Sequence, residues 1–259
     1  MSDVGAGILG LFGGTFDPLH VAHLRLAIEA REALDLAEVC FIPAGSPALR
    51  AAPHCTAEHR LAMVARALAD LPGFSVDASE VLAAGARPGP SYTVETLERL
   101  RRQHGPERPL VLLLGADAFA RLEAWQRWRE LFALAHIAVA TRPGHELTVM
   151  RSGALHAGNS ASRAGIHANG AGSLCVPGTP LRGQVAPLDG EFAARRGVAA
   201  DLASAPAGRI VTFAITALEI SATAIRQRLV RGLSARYLVP DAVLDYIESH
   251  QIYRTPHGH

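Results

Sequence analysis

Two histidines, an aspartate, a threonine and a pair of glycines crowd into one stretch, Gly13-Gly14-Thr15-Phe16-Asp17-Pro18-Leu19-His20-Val21-Ala22-His23. Glycine has no Cβ, so a ligand can lie directly against the backbone at Gly13 and Gly14. Asp17 followed by Pro18 reads as a helix N-cap with proline at the first helical position. A helix N-terminus behaves like roughly half a positive charge with unpaired N–H donors, which suits a phosphate group. His20 and His23 are three positions apart, so two helical residues there would share one face above that terminus. A metal centre would need a third ligand, only Asp17 is near, and the HExxH spacing is missing, so no metal ligands are assigned. Phosphate binding uses every residue of the segment.

What the chain lacks narrows the chemistry further. All 25 basic residues among the 259 are arginine, and there is no lysine. Schiff-base enzymes, GxxxxGK[ST] nucleotidases and kinases with a strand lysine are thereby excluded. Phosphate contacts must come from arginine, histidine, backbone N–H groups and helix N-termini. A formal net charge of +1 argues against non-specific nucleic-acid or membrane-surface binding. The hydrophobic fraction of 49% and charged fraction of 19% fit a packed α/β protein. Cys40, Cys55 and Cys175 form no CxxC pair and are odd in number, as suits a reducing cytosol. No basic leader and no apolar run near the roughly 20 residues of a membrane span is present, so a cytoplasmic protein is expected.

The elements that must position these residues are legible in the hydrophobic pattern. Ile8 to Phe12, Val39 to Ile42, Leu110 to Leu114 and Ile137 to Thr141 are apolar runs without alternation, as in parallel strands covered on both faces. Weaker strands are expected at Phe74 to Asp77 and Arg209 to Ile215. Between them, Leu24 to Leu34 has helical spacing, Thr56 caps a second helix, and Thr93 caps a third that runs to Gly105. The alternation predicts a doubly wound, mostly parallel α/β sheet, with its ligand at the carboxyl ends of the strands. Residues from about 150 to 208 are rich in Gly, Ala, Ser and Pro and read as a flexible insertion within a single domain spanning 1–259. A C-terminal helical part at about 220–253 follows: one helix stopped by Gly232, another opened by Pro240 and Asp241.

The first segment resembles the Gly-Gly-Thr-Phe-Asp-Pro-x-His-x-x-His signature of the HxGH-class nucleotidyltransferases. Ile220-Ser221-Ala222-Thr223-Ala224-Ile225-Arg226 resembles their second signature, ISSTxIR, and lies about 200 residues further on, in the expected order. The resemblance implies a Rossmann-like nucleotidyltransferase sheet and transfer of a nucleotidyl group from a nucleoside triphosphate to a phosphate-bearing acceptor, with Mg²⁺. It assigns His20 and His23 to catalysis, and Gly13, Gly14, Thr15, Ser221, Thr223 and Arg226 to the ATP phosphates.

Ser91-Tyr92-Thr93-Val94-Glu95-Thr96-Leu97 and Gly115-Ala116-Asp117-Ala118-Phe119, the latter followed by Trp125 and Trp128, resemble segments of bacterial nicotinate-nucleotide adenylyltransferase. Arg142-Pro143-Gly144 and the tail through Tyr253 match that family as well. It is implied that the chain adenylylates nicotinate mononucleotide with ATP, releases pyrophosphate and forms deamido-NAD for NAD biosynthesis. Thr93 would mark the carboxylate pocket and Trp125 would stack on the ring, with Trp128 as the other stacking candidate. Tryptophan does offer a cationic pyridinium the best π face. Asp117, at the end of a strand, would bind ribose hydroxyls or help organise metal, or simply cap the next helix. Where the family often carries Pro-x-x-Lys, this chain has Ser46-Pro47-Ala48-Leu49-Arg50, and Arg50 keeps the charge near the acceptor. Ala22 and Ala222 replace a glycine and a serine of the two signatures. The remaining readings are a nicotinamide-mononucleotide or phosphopantetheine adenylyltransferase, or a non-catalytic nucleotide-binding regulator on this fold. Homo-oligomerisation is left open.

Overall fold

The computed structural model describes residues 7–48, 52–86, 89–141 and 187–254. Six strands, β1 (Leu9–Gly14), β2 (Glu38–Pro43), β3 (Phe74–Val76), β4 (Leu110–Gly115), β5 (His136–Thr141) and β6 (Ile210–Ala214), form one sheet in the order β3-β2-β1-β4-β5-β6. Every pairing is parallel, so the expected mostly parallel sheet is parallel throughout. Side chains alternate across each strand, and both faces are covered. Phe12, Val39, Phe41, Val111 and Leu113 enter one core, whereas Leu9, Leu11, Cys40, Ile42, Leu112 and Leu114 enter the other. That double burial is why the strands read as unbroken apolar runs.

Nine α-helices are defined among the described residues: α1 (Val21–Ala33), α2 (Ala57–Leu68), α3 (Ser79–Ala86), α4 (Thr93–His104), α5 (Ala116–Phe119), α6 (Leu131–Leu134), α7 (Pro187–Arg195), α8 (Ala222–Val230) and α9 (Asp241–Ser249). Ala27 and Ala30 of α1, Met63 and Val64 of α2, Ile225 of α8 and Val243 and Ile247 of α9 fill the first core. The second is filled by Val94, Leu97 and Leu100 of α4, Phe119 of α5, Phe132 of α6, and Leu188 and Phe192 of α7. Helices on both faces of a parallel sheet make this the doubly wound α/β fold. The strand order reverses direction between β1 and β4, so the crevice beyond their carboxyl ends is the switch point where ligands bind in such sheets. No helix among the described residues is long and apolar enough to cross a membrane.

Three expectations are corrected. The first helix does not begin at Pro18: the Asp17–Pro18 peptide is cis, and α1 starts at Val21 with His20 as its N-cap. Thr93 does not cap α4 either; it is the first helical residue, and Tyr92 is the cap. The loose stretch expected to reach residue 208 is interrupted by α7 and by a 3₁₀ turn at Ala199–Ala203. Leu188, Phe192 and Leu202 are buried there, and the Leu188 N–H donates to Glu123 Oε1 at 2.7 Å. Two apolar anchors four residues apart are enough to dock a helix whose composition otherwise looks like linker. Residues 142–186, which hold the rest of that stretch together with Arg142-Pro143-Gly144 and Cys175, lie outside the described residues.

Candidate active site

The loop between β1 and α1 is built around Phe16, which has a positive φ of 50° and a buried side chain. Its ring lies across Gly14, where a Cβ would sit 2.7 Å from the ring carbons. Gly14 is therefore demanded by this packing. Gly13 is different: a Cβ there would meet nothing within 4 Å, so its exposed backbone faces open space at the strand end.

His20 and His23 stack face to face with centroids 3.7 Å apart, although only His23 is helical. The His20 backbone N–H donates to His23 Nδ1 at 3.2 Å, which makes Nδ1 an acceptor and leaves the proton of the neutral ring on Nε2. His20 is 6% exposed, and burial pushes its pKa down to about 4, so its imidazole is neutral near pH 7. Its Nδ1 is buried without a hydrogen-bond partner. Stacked at a helix N-terminus, the two rings can donate to phosphate oxygens, and the neutral His20 adds no charge beside His23.

Asp17 joins this loop to three distant parts of the chain. Its Oδ2 accepts the His54 N–H at 2.8 Å, and Oδ1 accepts the Tyr253 hydroxyl at 2.6 Å and the Cys55 thiol at 3.2 Å. Arg226 donates through Nη1 to the Asp17 carbonyl at 2.6 Å, and the same nitrogen lies 3.8 Å from Oδ2. Burial pushes the Asp17 carboxyl up, but the His54, Tyr253 and Cys55 hydrogen bonds and the Arg226 charge outweigh it and hold the group below its ordinary range. Burial pushes the Cys55 thiol up to about 12, so this cysteine is not a nucleophile.

Arg226 carries the second helix terminus to the first. It also donates to Thr223 Oγ1 at 3.2 Å, and Ser221 caps α8 by accepting the Ala224 N–H at 3.2 Å. Ser221 and Thr223 are exposed, and the Arg226 side chain is largely covered. Gly13, Gly14, Thr15, His20, His23 and Arg226 are thus tied into one assembly, with Ser221 and Thr223 on the first turn of the attached helix.

The second group of expected residues surrounds α4 and α5. Ser91 joins the loop after β2: its N–H donates to the Ser46 carbonyl at 2.8 Å, its hydroxyl accepts the Ser46 N–H at 3.3 Å, and Pro47 forms a bridge to it. Thr93 follows at the α4 N-terminus, half-buried. Asp117 is exposed in the first turn of α5, at the carboxyl end of β4; the cap of that helix is Gly115, so Asp117 does not cap it. Trp128 is buried at 8% exposure in the second core, whereas Trp125 is half-exposed at the margin of the same core, as is Tyr92. Of the two rings, Trp125 is the one with a face to offer. Leu49 and Arg50 lie outside the described residues.

Sequence reasoning missed Arg60 and Glu80. Arg60, on α2, is 1% exposed, and it donates through Nη1 to the Thr15 carbonyl at 2.8 Å and through Nη2 to the Gly45 carbonyl at 2.9 Å. Glu80, on α3, accepts the Thr96 hydroxyl at 2.6 Å. Burial raises its pKa, offset in part by Thr96, Ser91 and the Gly45 N–H. The glycine between these two side chains, Gly45, was the available signal: a Cβ there would sit 2.1 Å from the Glu80 carbonyl oxygen. Among the described residues, no group of three or more His, Cys, Asp or Glu is placed to hold a metal ion.

The sequence profile of the cytidylyltransferase-like family matches residues 11–228. A protein of Dechloromonas aromatica named "Probable nicotinate-nucleotide adenylyltransferase" is 49% identical over 247 residues, 95% of this chain and 97% of that one. A relative of the same name in Laribacter hongkongensis is 43% identical over 95% of this chain and 94% of its own length. Among solved structures, the Plasmodium falciparum nicotinic acid mononucleotide adenylyltransferase complexed with NaAD aligns with a TM-score of 0.60 over 95% of this chain and 97% of that chain. At 12% identity, that likeness speaks for the fold.

Proposed function

The chain belongs to the cytidylyltransferase-like family, and within it to the nicotinate-nucleotide adenylyltransferases, and we propose that it transfers the adenylyl group of ATP to nicotinate mononucleotide, releasing pyrophosphate and forming the deamido dinucleotide of NAD biosynthesis. The observation that carries the reading is the union of two helix N-termini at one strand end. His20 and His23 crown α1, Ser221 and Thr223 crown α8, and Arg226 clasps the Asp17 carbonyl between them.

In this reading the triphosphate lies over Gly13 and along Thr15, with its outer phosphates on Ser221, Thr223 and Arg226. His20 and His23 donate to the oxygens where charge develops. A phosphate oxygen of the acceptor attacks the α-phosphorus in line, the bond to the bridging oxygen breaks, and pyrophosphate leaves with those electrons. No protein nucleophile takes part, so catalysis is positioning and charge stabilisation. ATP would arrive as its Mg²⁺ complex, with the cation carried mainly by phosphate oxygens. On the acceptor side, the α4 N-terminus at Thr93 receives the nicotinate carboxylate, Trp125 stacks on the pyridinium and Asp117 faces the ribose; a charge contribution from Arg50 rests on the family resemblance alone. The unit is one nucleotidyltransferase domain with its C-terminal helical part.

Pyrophosphate release with ATP and either nicotinate or nicotinamide mononucleotide tests the reading. Turnover with the acid far above the amide is the expected result, and binding without turnover would overturn it in favour of a regulator. His23→Ala should fold and lose on the order of 10²–10³ in kcat. Near wild-type turnover in that variant would remove the histidines from the mechanism.

A further inference from the structure

We infer that Arg60 is a positioning residue that sets the separation between the loop holding ATP and the loop holding the acceptor, an inference that rests on the adenylyl-transfer reading above. Its two terminal nitrogens grip the carbonyls of Thr15 and Gly45, which follow β1 and β2 respectively. Thr15 continues from the open backbone of Gly13. Gly45 starts the stretch whose next residues, Ser46 and Pro47, pair with Ser91 two positions before Thr93. One guanidinium therefore spans from the nucleotide side of the crevice to the acceptor side.

The chemistry of this placement is unusual for a stabilising contact. Arg60 is fully buried, its Nε has no hydrogen-bond partner, and no carboxylate forms an ion pair with it among the described residues. Asp17 and Glu58 act on it only from beyond ion-pair distance, so a buried charge hydrogen-bonded to carbonyls alone recovers its lost hydration poorly, and an apolar side chain of similar volume often serves stability as well or better. The planar fork gives what an apolar side chain cannot: two acceptors held at a fixed distance in one plane. The far side of the acceptor loop is closed as well, because Gly45 packs directly against the α3 backbone at Glu80. The loop lies between that helix and the guanidinium. In-line transfer requires reacting atoms about 3–3.5 Å apart, and a misplacement of about 1 Å costs on the order of 10² in rate.

The test is steady-state pyrophosphate release with ATP and nicotinate mononucleotide for wild type, Arg60→Lys, Arg60→Met and His23→Ala, each with its melting temperature, assayed below the lowest of these. Lysine keeps the charge and reaches one carbonyl. Methionine keeps the volume without the charge and should melt near wild type, yet both variants should lose about 10²-fold in kcat with either KM within about threefold of wild type. A lysine variant with kcat within about threefold of wild type, or a loss confined to KM, would show a merely structural charge and overturn the inference. Should Arg60→Met fail to fold, the lysine variant decides alone. An active wild type, an inactive His23→Ala and an active Arg60→Lys would sink the Arg60 inference and leave the adenylyl-transfer reading standing. No turnover by wild type would sink both.

Discussion

Burial of His20 gives the protein a specific weakness to acid. The ring is 6% exposed and its pKa lies at about 4, against about 6.5 when the chain is unfolded. The unfolded chain therefore binds the proton more readily, and stability rises with pH between those two values. The contribution is fully present above the unfolded value and is lost as pH falls toward about 4. Integrating the linkage over that window gives a loss of about 1.4 kcal/mol at about pH 5.5 and about 2.5 kcal/mol at about pH 4.5. The comparison protein is His20→Asn, because asparagine suits an N-cap and does not titrate. Urea unfolding of both proteins at pH values from about 7.5 to 4.5 isolates the His20 contribution. His136, wholly buried between the Ala205 carbonyl and the Arg209 N–H, is also held low by burial, but it is common to both proteins and cancels. Wild type should lose more stability than the variant by the amounts above. Parallel pH profiles would refute the argument that His20 is kept neutral by its surroundings.

Tyr253→Phe removes one hydroxyl from the Asp17 carboxylate, a 2.6 Å contact. Hydrogen bonds to charged groups contribute about 1.5–3 kcal/mol, and urea unfolding should show a loss of that size with the circular dichroism spectrum unchanged. An unchanged midpoint would mean that Cys55 and His54 suffice for Asp17. The two tryptophans should separate by assay: Trp125→Ala raises the KM for nicotinate mononucleotide about 5- to 30-fold, the loss of about 1–2 kcal/mol of ring stacking, and leaves the KM for ATP alone. Trp128→Ala instead costs about 3–5 kcal/mol of stability, read from the same urea titration, because its ring is core. A reversal of the two effects would reassign the stacking residue.

The strands were the most legible part of the chain, since a strand covered on both faces must be apolar at successive positions, as in Leu110 to Leu114. The two signature segments were legible because small residues and a helix start coincide within a few positions in each, with two histidines in the first and an arginine in the second. What local pattern could not show was long-range. Asp17 looks like a helix cap, but its carboxylate is spent on residues 37 to 236 positions away, so α1 starts three residues after Pro18. Arg60 sits in an alanine-rich helix where arginines are ordinarily solvated, and nothing nearby in sequence announces that its partners are Thr15 and Gly45. The second glycine of Gly13-Gly14 has a reason to be small, the Phe16 ring, that differs from ligand approach. The fold of α7 was hidden because Leu188 and Phe192 stand alone in a segment of small residues.

The Asp17 junction also sets a schedule. A ribosome adds roughly 5–20 residues per second, so Asp17 is made on the order of 10–50 s before Tyr253, its partner 236 positions later. Arg226 comes after β6, the last strand of the sheet, and Tyr253 later still. During synthesis the Asp17 carboxylate can hold only the nearby His54 and Cys55, and Arg60 the Thr15 carbonyl, while the ties to Arg226 and Tyr253 arrive after the six strands have been made. The sheet can be complete while the candidate site is still open, which places the nascent chain's exposure to misassembly at the carboxyl ends of β1 and β4.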